Sequence, residues 1–264
     1  MKKFELTTEF ITNAFGKKLF RIKALVEFGD VKAGELGGYV EKEENVSQDG
    51  NAWVSGNARV YGDAWVYGNA KVSGNARVYG DAWVYGNAKV SGNARVYGNA
   101  RVYGDARVYG DARVSDNAWV YGNARVSDNT WVYGNAEVYG NTWVYGNAKV
   151  YGDARVSDNA WVYGNARVSG DAWVSDNARV SGDAWVSDNA DYALVQGFGT
   201  EFRCTTFYRG KNKKIMVNCG CFHGDLEEFR KQVKETRSGK IAKEYLMIAD
   251  LMEYHFASED SDDE

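Results

Sequence analysis

The chain has 264 residues, 44% hydrophobic and 26% charged, with a formal net charge of −4. Its 30 glycines come with no proline, which excludes collagen-like and proline-rich chains, and its 14% aromatics exclude a disordered polypeptide. No apolar run is long enough for a membrane span, and no apolar stretch follows the charged start MKKFELTTEF, so neither a membrane partner nor a secretory signal is expected. Three cysteines are too few for a disulfide scaffold and point to a reduced, cytoplasmic setting.

Residues 1–50 contain strand-like stretches such as KKLFRIKALVEF, followed by GDVKAGELGGYVEKEENVSQDG. Val40 and Val46 are already six apart, so this segment is read as an N-terminal β cap plus a first coil. From Asn51 to Asp188 one hexapeptide recurs without insertion, [N/D]-[A/T]-x-V-[Y/S]-[G/D], over 138 residues, or 23 hexads of six. Val holds the fourth place throughout, and Ala holds the second except at Thr130 and Thr142. In A-x-V the apolar residues are two apart and share one face of a strand, while the residue between them points away. The following G-N, G-D or D-N pairs tolerate φ > 0 and make corners. One hexad cannot bury its own Val and Ala, but stacked copies coiling around a shared core can.

Residues 189–256 leave this pattern. FRCTTFYRGKNKKIMVNCGCF reads as two strands around a turn near Gly210–Asn212, with Cys204 roughly opposite Cys219. DLEEFRKQVKETRS reads as a helix capped by Asp225, and KIAKEYLMIADLMEYHF as a second amphipathic helix. The end of the chain, 257–264, reads as a disordered acidic tail.

The hexads, with V-x-x-x-A-x and glycine or acid at the corner, resemble the hexapeptide repeat of left-handed β-helix proteins. That resemblance implies an all-β solenoid: a left-handed parallel β-helix with three hexads per coil and about 7–9 coils. The flanks would supply a small N-terminal β cap and a C-terminal α+β cap, as open solenoid ends require. GDVKAGELGGYVEKEENVSQDG before the hexads and CGCFHGDLEEF after them look like uncharacterised hexapeptide-repeat proteins of phages and prophages. This implies a bacterial host cell as the setting.

Acyltransferases of the hexapeptide-repeat class are the enzymatic alternative, and they commonly use a histidine base beside the coils. Here the two histidines, His223 and His255, lie outside the repeat, and no projecting loop interrupts it. General base catalysis needs a group titrating near neutrality within reach of substrate, so no catalytic residue and no cofactor is expected. Cys204, Cys219, Cys221 and His223 form a weak candidate zinc set; C-x-C is tighter than usual ligand spacing, and packing is the favoured role.

With three hexads per coil, residues eighteen apart stack in columns. The third outward column and its neighbours make the most aromatic face, with Trp65, Trp83, Trp119, Trp173, Tyr85, Tyr103 and Tyr121 as the candidate interaction residues. The second column is the most basic, with Arg59, Arg77, Arg95, Arg113, Lys149 and Arg167. Stacked Trp, Tyr and Arg also satisfy one another without a ligand. The repeat holds 13 Lys or Arg and 13 Asp or Glu, with Asp at corners near the cations, which argues against nucleic acid as a partner. The expected function is therefore non-enzymatic: a phage-type solenoid that binds a protein, either a host factor, such as a defence protein it blocks, or itself as a homo-oligomer. A fibre-like assembly protein is a further alternative.

Overall fold

The computed structural model describes residues 2–211 and 213–257. The acidic tail, from 258 onward, lies outside the described residues.

Three strands open the chain: β1 (Phe4–Thr12), β2 (Lys18–Ala24) and β3 (Leu36–Val40). β1 and β3 flank β2 in antiparallel pairing, and β3 then runs parallel to the first repeat strand of its sheet through Tyr39↔Arg59 and Val40↔Val60. Val46 forms a parallel bridge to Val66. The transition from antiparallel cap to parallel coil thus falls at Tyr39 to Val46, before the perfect repeats.

Twenty-three two-residue strands follow, β4 (Trp53–Val54) to β26 (Trp185–Val186), each formed by the third and fourth places of a hexad. Each pairs in parallel with the strand eighteen residues away, as in Trp53↔Lys71 and Val54↔Val72. Successive hexads therefore fall in turn on three sheets. The corner residue in the sixth place has positive φ in every hexad but the last: glycine at most corners, and Asp116, Asp128, Asp158 and Asp176 at φ 58–60°. Gly110 shows why side chains are rare there. A Cβ on it would lie 2.8 Å from the backbone nitrogen of Asp128 on the next coil. Where aspartate is accepted, its carboxylate reaches the adjacent coil, as when Gly134 N donates to Asp116 Oδ2 at 3.2 Å.

Every repeat Val is fully buried, and the repeat Ala are buried with them. Thr142, also fully buried, donates its hydroxyl to Tyr139 O at 2.6 Å, so the extra oxygen in the core has an acceptor. The fifth-place residues do not simply face out. The tyrosines are half-buried, and Ser115, Ser127, Ser157, Ser169 and Ser181 are buried. Each of these five serines lies eighteen residues after a tyrosine (Tyr97, Tyr109, Tyr139, Tyr151, Tyr163). A small residue beside a large ring is covered by it, so accessibility at this place depends on the neighbouring coil.

Both open ends of the coil are covered. At the first, Phe4 and Phe28 pack edge-on against Trp53, which is buried although its place in the hexad points outward. The Lys3 ammonium donates to Ala52 O at 2.9 Å, and Gln48 bonds to Lys3 N, Phe4 N and Phe4 O, satisfying backbone that no further coil pairs. At the other end stands an antiparallel sheet of β27 (Tyr192–Phe198), β28 (Arg203–Arg209), β29 (Ile215–Cys219) and β30 (Phe222–Asp225). One face carries Tyr208, Thr206 and Asn218 onto the last coil, where Arg179 N donates to Thr206 Oγ1 and Asn218 Nδ2 donates to Arg179 O. The other face carries Phe207 and Val217 against α1 (Leu226–Thr236) and α2 (Gly239–His255). Asp225 caps α1 by accepting from Glu228 N at 3.0 Å, and Glu228 returns a bond to Asp225 N.

Candidate interaction faces

The third face is a ladder of rings. Tyr67, Tyr85, Tyr103, Tyr121 and Tyr139 stack face to face at 4.7–4.9 Å, within 6° of parallel. The cause is register: in-register parallel strands place like residues side by side at about 4.8 Å, close to a ring-stacking distance. Tyr121 donates to Glu137 Oε2 at 3.1 Å, and burial together with that carboxylate holds its phenol well above the ordinary range. Arg101 sits between Trp83 and Trp119, 5.0 and 5.1 Å from their rings. Trp173 donates its indole N–H to Ser157 Oγ. These internal contacts leave Trp65, Trp119 and Trp173 still 39%, 37% and 45% exposed, whereas Trp83 is half-buried beneath Trp65 and Arg101. Tyr85, Tyr103 and Tyr121 offer mainly ring edges.

The second face carries Arg59, Arg77, Arg95 and Arg113 on adjacent coils, then Trp131, Lys149, Arg167 and Trp185. Exposed tryptophan is thus shared between faces, since Trp131 and Trp185 are also exposed. Arg113 and Lys149 approach the Trp131 ring at 4.6 and 5.3 Å, and Arg167 approaches Trp185 at 5.6 Å. The corner acids do not neutralise this column. They close ladders of side-chain amides instead, as where Asn93 Nδ2 donates to Asp111 Oδ1 and Asn165 Nδ2 to Asp183 Oδ1.

The structure separates the candidate metal set. Cys219 pairs with Thr205, whose hydroxyl donates to the Cys219 thiol at 3.1 Å. Cys204 is therefore one residue out of register with Cys219, and a one-residue offset in a strand reverses the face. Cys204 points to the solenoid, with Asn177 O as acceptor at 3.5 Å, and burial pushes its thiol pKa up. Cys219 lies on the helix side, and Cys221 is exposed in the turn beyond it. His223 reaches the Tyr208 hydroxyl at 3.1 Å, again on the solenoid side. The expectation that Cys204 lies opposite Cys219 is corrected, because the Thr205↔Cys219 pairing centres the hairpin half a residue later than a Cys204–Cys219 pairing needs. Among the described residues no group of three or more His, Cys, Asp or Glu is placed to hold a metal ion.

The fold and its surface define a capped parallel β-solenoid with a basic and an aromatic face. Nine segments of the chain match the YdcK beta solenoid repeat: 52–69, 70–86, 88–104, 94–107, 106–122, 118–134, 148–163, 160–176 and 172–188. These matches agree with the architecture of the chain, a parallel β-solenoid of stacked repeats. No curated protein matches it. No helix among the described residues is long and apolar enough to cross a membrane.

Proposed function

We propose that the protein is a non-catalytic, left-handed β-solenoid that acts by binding protein, with the third face as the self-association surface. The observation that carries this reading is the set of exposed indoles Trp65, Trp119 and Trp173, each braced by ring or hydrogen-bond contacts. A pre-ordered tryptophan loses little entropy on docking, which is what makes such residues dominate interfaces. The non-repeated unit 189–256 is the site that gives a foreign partner its specificity. A repetitive face offers the same contact at every coil, whereas α2 presents Met247, Leu251 and Tyr254 at i, i+4 and i+7 as one exposed apolar stripe. The resemblance to phage and prophage repeat proteins supports a cytoplasmic setting in a bacterial host and a role in occupying a host defence factor.

Sedimentation of the wild type and of Trp65→Arg/Trp119→Arg tests the first half. Arg already occupies the same column at Arg101 and Arg155, so the fold tolerates it. The expected result is an oligomer that the double variant dissociates; a wild-type monomer removes self-association. Capture from host lysate, followed by reconstitution from purified components, tests the second half. The complex should survive the tryptophan changes and be lost in Met247→Glu/Leu251→Glu. A partner bound equally by the wild type and by Met247→Glu/Leu251→Glu would overturn the assignment of α2.

A further inference from the structure

We propose that the second face is a docking stripe for an acidic helix of a partner protein, read by Arg59, Arg77, Arg95 and Arg113. This inference rests on the reading of the protein as a binding module.

The four arginines are register-paired neighbours on successive coils: Arg59↔Arg77, Arg77↔Arg95 and Arg95↔Arg113. Strand spacing puts them about 4.8 Å apart along one line, where like charges directly opposite one another repel. Elsewhere on the solenoid some of these charges have a partner. On the third face Arg101 lies between two indoles. On the first face the N-terminal cap brings Asp30 to Lys71. Among the described residues Arg59, Arg77 and Arg95 have neither an ion pair nor a ring face beneath them, and the nearby corner carboxylate, Asp111, is engaged by Asn93. The C-terminal cap strengthens the stripe. Its hairpin turn, held by Lys211 N donating to Asp183 O at 3.1 Å, adds Lys211 to a cleft lined by Lys149, Arg167, Trp185 and Asp183, whose carboxylate accepts from Asn165. One cap places a carboxylate at the start of the column beside it, and the other adds a cation at the end of this one.

The spacing selects the occupant. Carboxylates three and four residues apart on a helix are about 5–6 Å from one another, close to the step between coils. The guanidinium fork binds carboxylate through paired hydrogen bonds. Single-stranded nucleic acid fits less well. Tyr61, Tyr79 and Tyr97, beside the arginines, are stacked on one another at 4.9 and 5.0 Å, within 3° of parallel. Their faces are taken, so bases have no open ring to stack on. The whole chain, at −4, also lacks the basic excess of a phosphate tracker.

The test uses the full chain and three probes in fluorescence anisotropy: a helical peptide with Glu along one face, the same peptide with Gln, and single-stranded oligothymidine. The Glu peptide should bind at low salt and be released near 1 M salt, where the Debye length falls to about 3 Å. Arg77→Glu/Arg95→Glu should weaken it at least about tenfold. The hexad already carries glutamate at that place in Glu137, and circular dichroism verifies the fold of the variant. Equal binding of the Glu and Gln peptides, an unaffected double variant, or tighter binding of oligothymidine than of the Glu peptide overturns the stripe. Reconstituted partner binding that persists after such a result leaves the binding-module reading intact. Its loss in Met247→Glu/Leu251→Glu, with peptide binding unchanged, bears on the α2 site alone.

Discussion

Asn87 donates its side-chain amide to Asp105 Oδ1 across 3.0 Å, and there the ladder that began at Asn51 stops. Asparagine has both a donor and an acceptor and can relay such a chain, whereas an ionised aspartate only accepts. The same termination occurs at Asp111, Asp153 and Asp183. The choice between Asn and Asp in the first place of the hexad therefore sets the length of each amide ladder. Asp105→Asn should join this run to the one starting at Asn123, raising stability by about 0.5–1.5 kcal/mol. Asn69→Asp should lower it by a similar amount, because Asn87 then faces a second acceptor. Thermal unfolding of the two variants should move in opposite directions.

Val120 lies in the centre of the coil with no exposed surface. Val120→Asp puts a carboxylate where no donor is available, and the cost of burying it unpaired should reach several kcal/mol. The expected outcome is loss of the cooperative thermal transition or a midpoint lowered by many degrees. An unchanged midpoint would mean that the fourth place does not carry the core.

The eighteen-residue register makes deletions informative. Removing 87–104 takes out one full turn and keeps every later strand on its own sheet. Removing only 87–98 moves each later hexad onto a different sheet, so the C-terminal cap, which keeps its Arg179–Thr206 and Ser181–Tyr208 contacts with the last coil, is turned to another face relative to the N-terminal half. Stability in such arrays is nearly a sum over neighbours. The first deletion should remain soluble with a modest loss in unfolding midpoint. The second should shift the face on which the Trp and Arg columns continue, detectable as loss of peptide and oligomer contacts that span the deletion.

Alkaline pH should act in two opposed windows. Burial lowers the Lys3 amine from 10.5 to about 8. Between those values the unfolded chain binds a proton that the folded chain has released, so this residue raises stability as pH climbs from 8 towards 10.5. The ladder tyrosines behave oppositely. Desolvation holds phenols such as Tyr61, Tyr79 and Tyr103 above 10.0, so above pH 10 the unfolded state ionises first and stability falls. Denaturant titrations should show a shallow rise above pH 8 that Lys3→Met abolishes, and a decline above pH 10. The phenolate signal should appear later in the folded than in the denatured protein.

The solenoid was legible because each hexad repeats one local instruction. Ala and Val two apart define the inward face, a corner residue able to take φ > 0 ends the strand, and the absence of insertions keeps these in phase from Asn51 to Asp188. The stacked columns follow from that phase, which is why Arg101 could be placed between Trp83 and Trp119 by counting alone. What the period could not encode are contacts with no repeat behind them. Cys204 and Cys219 were separated by half a residue in the centre of one turn, a difference that reverses a side chain's face and that no propensity resolves. Trp53 is buried and Trp65 exposed, though both occupy the same place in the hexad, because Phe4 and Phe28 fold over the first coil only. Lys211 joins Lys149 and Arg167 across a long stretch of sequence because the C-terminal sheet docks on the last turn. Period-six geometry is a property of neighbours in sequence, and the chain states it 23 times. Cap placement, ring burial and the gathering of charge at the open end depend on packing between distant segments, and only the tertiary structure decided them.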